Sequence, residues 1–195
     1  MKRVFILNGH PAASSLSRTL AQTYADAALE AGHEVRLVHL HDLHFDSDFG
    51  QGNFLQTKPL EPALEGVLKD VAWSEHFVLT TPMWWGGLPA KLKGLIDRAF
   101  LPGHAFDPRQ TNKLGLPAPL WGGRSARVVF TSDTPGWFLR LFYKNALIWQ
   151  LRGQILAFVG FKPTRFTHLG PASHPKAGHV ERWVEQVRRL GASAA

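Results

Sequence analysis

The sequence contains no cysteine, and only two methionines and two tyrosines among its 195 residues. The missing thiols exclude disulfides, thiolate nucleophiles and cysteine-held metal centres, and they fit a reducing compartment. No apolar run approaches the roughly 20 residues that span a bilayer. After MKR the run VFIL is too short for a secretory-signal core, and no small-residue cleavage pattern follows it. A cytoplasmic location is therefore expected. Three motifs are also missing. Without G-x-G-x-x-G the chain is no standard dinucleotide-fingerprint dehydrogenase, and without a Walker A run it is no P-loop enzyme. Without G-x-S-x-G it lacks the nucleophile elbow of serine hydrolases.

Acid is scarce as well. Twenty-two Lys and Arg face 15 Asp and Glu, which leaves a net charge of +7. The basic residues are scattered, with mild enrichment from Arg124 to Arg189 and no arm-like run. No nucleic-acid partner is expected, whereas a field of this sign favours phosphorylated small molecules. A hydrophobic content of 45% with 19% charged residues belongs to a chain that buries a core. One domain over 1–195 is expected, with loop excursions near 41–62 and 101–124.

Five strand patterns alternate with helix patterns. They are VFILN at 4–8, EVRLVHL at 34–40, HFVLTT at 76–81, ARVVFTS at 126–132 and TRFTHL at 164–169. The first, third and fourth are nearly continuous apolar runs, as in strands covered on both faces. The second and fifth alternate, as edge strands do. The expected fold is an α/β doubly wound, five-stranded parallel sheet of order 2-1-3-4-5 with helices on both faces. Leu20, Tyr24, Ala27, Ala28 and Ala31 make one helix face, with Ser17 as the expected N-cap and Gly32 as the stop. Leu64, Leu68 and Val71 make a second stripe. Leu92, Leu95, Ile96, Ala99 and Phe100 form a third, and Val180, Trp183, Val184 and Val187 a fourth. The apolar stretch 137–161 reads as one helix interrupted near Gly153. Its surplus apolar surface predicts a homodimer contact.

In such a sheet ligands bind beyond the carboxyl ends of the strands, where the winding direction reverses. Three loops emerge there. Asn8 to Ser17 sets hydroxyls and free amides before a helix start, a phosphate-binding arrangement for which simple capping is the plainer alternative. Thr81 to Gly87 holds Trp84 and Trp85 beside Gly86 and Gly87. Bare glycine backbone and indoles suit one wall of a site for a flat heterocycle, read here as a flavin, although one indole is expected to pack under the loop. Ser132 to Trp137 offers small polar groups, in a segment that is also good turn chemistry. His39, His41 and His44 lie near Asp42, Asp46 and Asp48, but a solvated loop explains them and no metal is expected. Asp97 and Arg98 read as a helix-surface or local ion-pair feature.

On these residues the chain resembles the flavodoxin-like NAD(P)H:quinone oxidoreductases. This group includes DT-diaphorase, the modulator-of-drug-activity proteins and the ancillary flavoproteins of potassium-efflux systems. The most specific match is TPMWWGGLPAKLKGLIDRAFLPGHAF at 81–106, and LNGHPAASSLS and IWQLRGQILAFVGF are also similar. The resemblance implies a flavin-dependent NAD(P)H dehydrogenase (quinone). Hydride would pass from NAD(P)H to flavin N5, then by a ping-pong route to a quinone-like acceptor. It implies cofactor contacts at His10, Ser15, Leu16, Ser17, Pro82, Met83, Trp84, Trp85 and Gly86, with Asp133, Thr134, Pro135 and Gly136 carried over on weaker grounds. FMN is favoured over FAD because no segment reads as an adenine pocket. The mammalian enzymes have Thr-Thr-Gly-Gly where this chain has Asp133 to Gly136, followed by a catalytic tyrosine and histidine. Here only Tyr143 is available nearby, as a weak catalytic candidate. The alternatives are a flavin-binding regulatory subunit of a membrane efflux system and, less favoured on charge, a one-electron carrier.

Overall fold

A computed structural model of the chain describes residues 1–50 and 57–195. Part of the 41–62 excursion, residues 51–56, lies outside the described residues.

The main sheet is parallel and built from β1 (Arg3–Asn8), β2 (Glu34–His39), β3 (His76–Pro82), β6 (Ser125–Thr131) and β7 (Thr164–Leu169), in the order β2-β1-β3-β6-β7. This is the 2-1-3-4-5 winding that the run patterns predict. β3 is buried along its whole length, while β2 alternates between exposed and half-buried residues over 34–37 and stays half-buried to its end. Successive residues of the inner strands supply two cores, because strand side chains alternate between faces. Val4 and Ile6 of β1, with Val78 and Val129, pack with Leu20 and Tyr24 of α1 (Leu16–Glu30) and with Trp183 and Val187 of α7 (His179–Ser193). On the other face Phe5, Leu7, Phe77, Leu79 and Val128 pack with Leu64 and Val67 of α2 (Pro62–Trp73) and with Leu92 and Leu95 of α3 (Ala90–Ala99).

Two helix expectations and one loop expectation change. Ser15, not Ser17, caps α1: its extended backbone precedes the helix and its hydroxyl accepts from the Arg18 amide at 3.1 Å. Ser17 is the second residue of the helix and is buried. The other end stops as expected. Gly32 takes φ +80°, its amide donates to Leu29 and the His33 amide donates to Ala28, which satisfies two terminal carbonyls. The 137–161 stretch is not one helix. It breaks at Lys144 and Asn145, both left-handed, between α4 (Gly136–Leu141) and α5 (Ala146–Trp149). A π-helical segment (Gln150–Leu156) then contains Gly153, and α6 (Ala157–Val159) closes the run. The excursion at 101–124 carries an antiparallel pair, β4 (Phe106–Thr111) and β5 (Pro117–Pro119), where irregular chain was expected.

Arg98 also departs from expectation. It is among the largest fully buried side chains, not a surface residue. Its guanidinium donates to Glu61 and to the carbonyls of Asp46 and Pro59, and so ties the β2–α2 connection to α3. One turn earlier Gly94 leaves room for the same connection, since a Cβ there would stand 2.6 Å from Ser47 Cβ. Asp97 points elsewhere and pairs with Lys93.

Candidate active site

The three loops meet at the carboxyl ends of β1, β3 and β6. Asn8 organises the first. It is fully buried, and its Oδ1 accepts from the His10 amide and lies 3.4 Å from Thr80 Oγ1. Thr80 Oγ1 donates onward to the Ser17 carbonyl at 2.9 Å, and the Gly9 amide donates to Thr80 at 2.7 Å. The loop's start and the opening of α1 are thereby fixed to β3. The Ala12 amide donates to His10 Nδ1, so the imidazole carries its proton on Nε2. Burial lowers the His10 pKa and keeps the ring neutral. The amides of residues 13–17 donate to no acceptor within the described residues. They sit at the positive end of a fifteen-residue helix, beside Arg18. Bare amides, the helix dipole and a guanidinium together favour an anion here.

The second loop is a tight reversal. Trp84 and Gly87 exchange backbone hydrogen bonds of 3.0 and 2.9 Å, and Trp85 and Gly86 between them both have positive φ, +51° and +75°. Glycine tolerates this and tryptophan does so only under strain. Neither indole packs beneath the loop, contrary to expectation. Trp85 is fully exposed, and Trp84 is partly exposed with its ring edge-on to His10. The Met83 amide donates to the Thr131 carbonyl at 2.7 Å and joins this loop to β6.

Between the second and third loops lies a cavity of about 650 Å³, within the usual size of small-molecule sites. Met83, Trp85 and Gly86 of the second loop and Ser132, Asp133 and Thr134 of the third line it. Phe130 and Leu139 line it as well, and the segment from Tyr143 through Ile148 closes the far side. Tyr143 lines the cavity at an exposed position. Asp133 lines the cavity, but its carboxylate is engaged by the amide and hydroxyl of Ser173 at 2.6 and 2.7 Å. Those bonds hold its pKa below the usual carboxylate range.

The flavodoxin-like fold family matches residues 2–190. The chain belongs to this family. Among curated relatives, an uncharacterised NAD(P)H oxidoreductase of Haemophilus influenzae is 28% identical over 120 residues, 57% of this chain and 56% of that protein. The chain thus spans about half the length of that relative. An FMN-dependent NADH:quinone oxidoreductase of Nitratidesulfovibrio vulgaris is 27% identical over 198 residues, covering 90% of this chain and 91% of its own. Among solved structures, an NAD(P)H:quinone oxidoreductase of Methanothermobacter marburgensis superposes with a TM-score of 0.82 at 23% identity, over 100% and 99% of the two chains. That likeness is one of fold.

In this flavodoxin-like frame the expected residues divide into two groups. Met83, Trp85, Gly86, Asp133 and Thr134 line the cavity. His10, Ser15, Leu16 and Ser17 surround the bare α1 amides, and the Trp84–His10 contact bridges the two places. Pro82 is the buried last residue of β3, and Pro135 and Gly136 begin α4 outside the lining. His39 and His41 turn to different partners, Asn8 and the Pro11 carbonyl. Among the described residues no three His, Cys, Asp or Glu gather as a metal site.

Sequence reasoning missed the wall made by Asn145, Ala146, Leu147 and Ile148. Asn145 tolerates the left-handed conformation it takes, but the apolar periodicity on either side masks the break. Phe130 was hidden in an apolar strand, and His168 was passed over. His168 lies on β7, in register with Phe130.

The cavity and the amide cradle fit a flavin mononucleotide on chemical grounds. A mostly apolar slot with a few polar groups suits a tricyclic ring, and the bare helix terminus suits its phosphate.

Proposed function

We propose that this chain is a flavin-dependent NAD(P)H dehydrogenase acting on quinones or similar flat electrophiles. One observation carries the reading: a cavity of about 650 Å³ between the Met83–Gly86 turn and the Ser132–Thr134 segment, with bare amides at the start of α1 beside it. The named chemistry of the Nitratidesulfovibrio relative, FMN-dependent NADH:quinone oxidoreduction, supports it along nearly the whole chain.

Bound FMN supplies a ring that accepts hydride from NAD(P)H and gives it to the second substrate. The residues supply the rest. The amides of residues 13–17 and Arg18 hold the phosphate, with Ser15 and Ser17 setting the start of the helix. His10 and Trp84 close the passage between phosphate and ring. Backbone at Met83 and Gly86 would hold one edge of the ring, and Ser132 and Thr134 would hold its pyrimidine edge. Phe130, Leu139 and Leu147 exclude water from the ring. Tyr143, at the mouth, is the one phenol placed to give a proton from its Oη to a reduced acceptor. Asp133 serves mainly to hold the loop to Ser173.

The same reading makes the chain one domain, working in the cytoplasm where reduced nicotinamide nucleotides are supplied, and paired as a homodimer. Trp137, Leu141, Phe142 and Trp149 are all exposed, an apolar face that a second copy would cover. Among the described residues no helix is long and apolar enough to cross a membrane.

The test is NAD(P)H oxidation by FMN-loaded protein with and without a soluble benzoquinone. Oxidation should accelerate when quinone is added, with a ping-pong pattern of initial rates. Loaded protein that oxidises neither NADH nor NADPH faster with quinone overturns the assignment.

A further inference from the structure

His168, on the strand beside the third loop, has no part in the function just described, yet it pairs with Ser132, which does. His168 stacks on Phe130, with ring centroids 4.9 Å apart and planes at 26°. Its Nε2 stands 2.8 Å from Ser132 Oγ. The Ser132 hydroxyl in turn donates to the Thr134 carbonyl at 3.1 Å. A hydroxyl has one proton to give. With that proton on Thr134, the imidazole must be the donor to Oγ, which places the histidine proton on Nε2.

The ring is closely enclosed. A Cβ on Gly136 would lie 3.3 Å from His168 Nδ1, and one on Gly170 would lie 3.1 Å from Nε2. Two loops therefore approach the imidazole through glycines. Burial lowers the His168 pKa and no charged neighbour contributes, so the ring is neutral at neutral pH. Above it, Phe130, Ser132 and Thr134 line a cavity whose adjoining wall is apolar, through Leu139, Leu147 and Ile148. Polar groups are few there, so each one that is held in place matters for orientation.

We infer that His168 is a positioning residue that fixes the Ser132 hydroxyl and the Thr134 carbonyl as the anchor for the carbonyl-and-imide edge of a planar heterocycle. A ligand carbonyl takes the Ser132 proton, and a ligand imide N–H meets the freed Thr134 carbonyl. Throughout, the Nε2 proton of His168 keeps Ser132 Oγ satisfied and oriented. The inference rests on the flavin reading above, which identifies the heterocycle as the pyrimidine end of FMN.

The test compares FMN affinity and flavin midpoint potential in wild type, Ser132→Ala, His168→Phe, His168→Gln and the Ser132→Ala/His168→Phe double variant. Loss of one such hydrogen bond corresponds to about a tenfold rise in Kd. Ser132→Ala and His168→Phe should each show it, with the potential moved to more negative values. The double variant should be no weaker than either single one, because both remove the same bond. His168→Gln, which returns a donor near the Nε2 position, should recover most of the affinity and potential. Independent, multiplying effects, or an unmoved potential with unchanged affinity, overturn the inference. Should His168→Phe fail to fold, His168→Asn decides in its place, because its shorter amide falls short of Ser132 Oγ: weaker binding with a lowered potential supports the inference, and unchanged values overturn it. Wild type that binds no flavin sinks the functional reading and this inference together, whereas wild type that binds normally with unaffected variants sinks only the inference.

Discussion

The indole of Trp84 meets the imidazole of His10 edge-on, with ring centroids 5.4 Å apart. This contact joins the loop after β1 to the loop after β3, at the junction between the amide cradle and the cavity. His10 also accepts from the Ala12 amide, so it shapes the cradle itself. His10→Ala should therefore loosen both ends of the site. The expected outcome is a rise in FMN Kd of roughly tenfold, on the scale of one hydrogen bond with its packing. The thermal midpoint of the flavin-free protein should change little. Titration by quenching of flavin fluorescence, beside a thermal melt without ligand, separates the two effects.

Trp85 shows the opposite balance. Its φ of +51° costs a bulky side chain about 1–3 kcal/mol, and its fully exposed ring recovers little by packing within the chain. Trp85→Asn should relieve that strain, since asparagine tolerates the left-handed region, and raise the melting temperature by a few degrees. The same change removes an aromatic wall of the cavity. The KM for quinone should rise several-fold while kcat falls less. A melting temperature that drops instead would mean that the indole is packed, for instance against a second copy.

Arg98 carries a stability prediction. It is buried, with Glu61 as its charged partner and two carbonyls as further acceptors. Arg98→Met should destabilise the protein by about 3–5 kcal/mol, because buried carbonyls and a carboxylate lose their donors. Urea denaturation measures this directly. Burial raises the Glu61 pKa, but the amides of Asp46 and of Glu61 itself, together with Arg98, outweigh burial and leave it lowered. A carboxylate lowered on folding stabilises above its unfolded pKa and loses that contribution as pH falls through the folded value. Glu61→Gln should weaken that part of the acid sensitivity.

A larger pH effect comes from the far end of the sheet. His76 hydrogen-bonds Tyr24 at 3.0 Å and Ser125 at 2.8 Å. Burial, then the nearby cations Lys2, Arg127 and Arg165, lowers its pKa from 6.5 to about 3. Between those values the unfolded chain binds a proton that the folded chain refuses. Stability is therefore highest above pH 6.5 and falls as the pH drops toward 3, by up to about 1.4 kcal/mol per pH unit. His76→Gln should flatten the dependence of the melting temperature between pH 6.5 and 4, at some loss of stability at pH 7. An equally steep slope in the variant would assign the acid sensitivity to other groups.

Much of the fold was legible because burial on both faces writes itself into β1, β3 and β6 as unbroken apolar runs. Edge position is written as alternation in β2 and β7. The stop at Gly32 was legible for a similar reason, since one residue type answers one backbone demand. The Ser15 cap was less so, because three nearby serines offer equivalent hydroxyls and only the Arg18 amide distinguishes them. The break at Lys144 and Asn145 was hidden by apolar residues that satisfy a helical period on either side. Arg98 could not be foreseen as buried, because its acceptors come from a connection some 40 to 50 residues away in sequence. His168 was missed for the same reason: its partner, Ser132, lies on another strand's loop. Local chemistry is visible locally, whereas pairs formed across the sheet appear only once strand order and register are known.

Every role proposed for these residues depends on a flavin ring seated in the cavity with its phosphate on α1. The most direct test is the visible spectrum of the purified protein, followed by titration with FMN and mass identification of any released chromophore. The expected result is yellow protein, or colourless protein that takes up FMN stoichiometrically and quenches its fluorescence, with a loss of binding in the Ser15→Glu variant that sets a negative charge beside the cradle. Protein that stays colourless and leaves the spectra of both FMN and FAD unchanged at micromolar concentrations would contradict it.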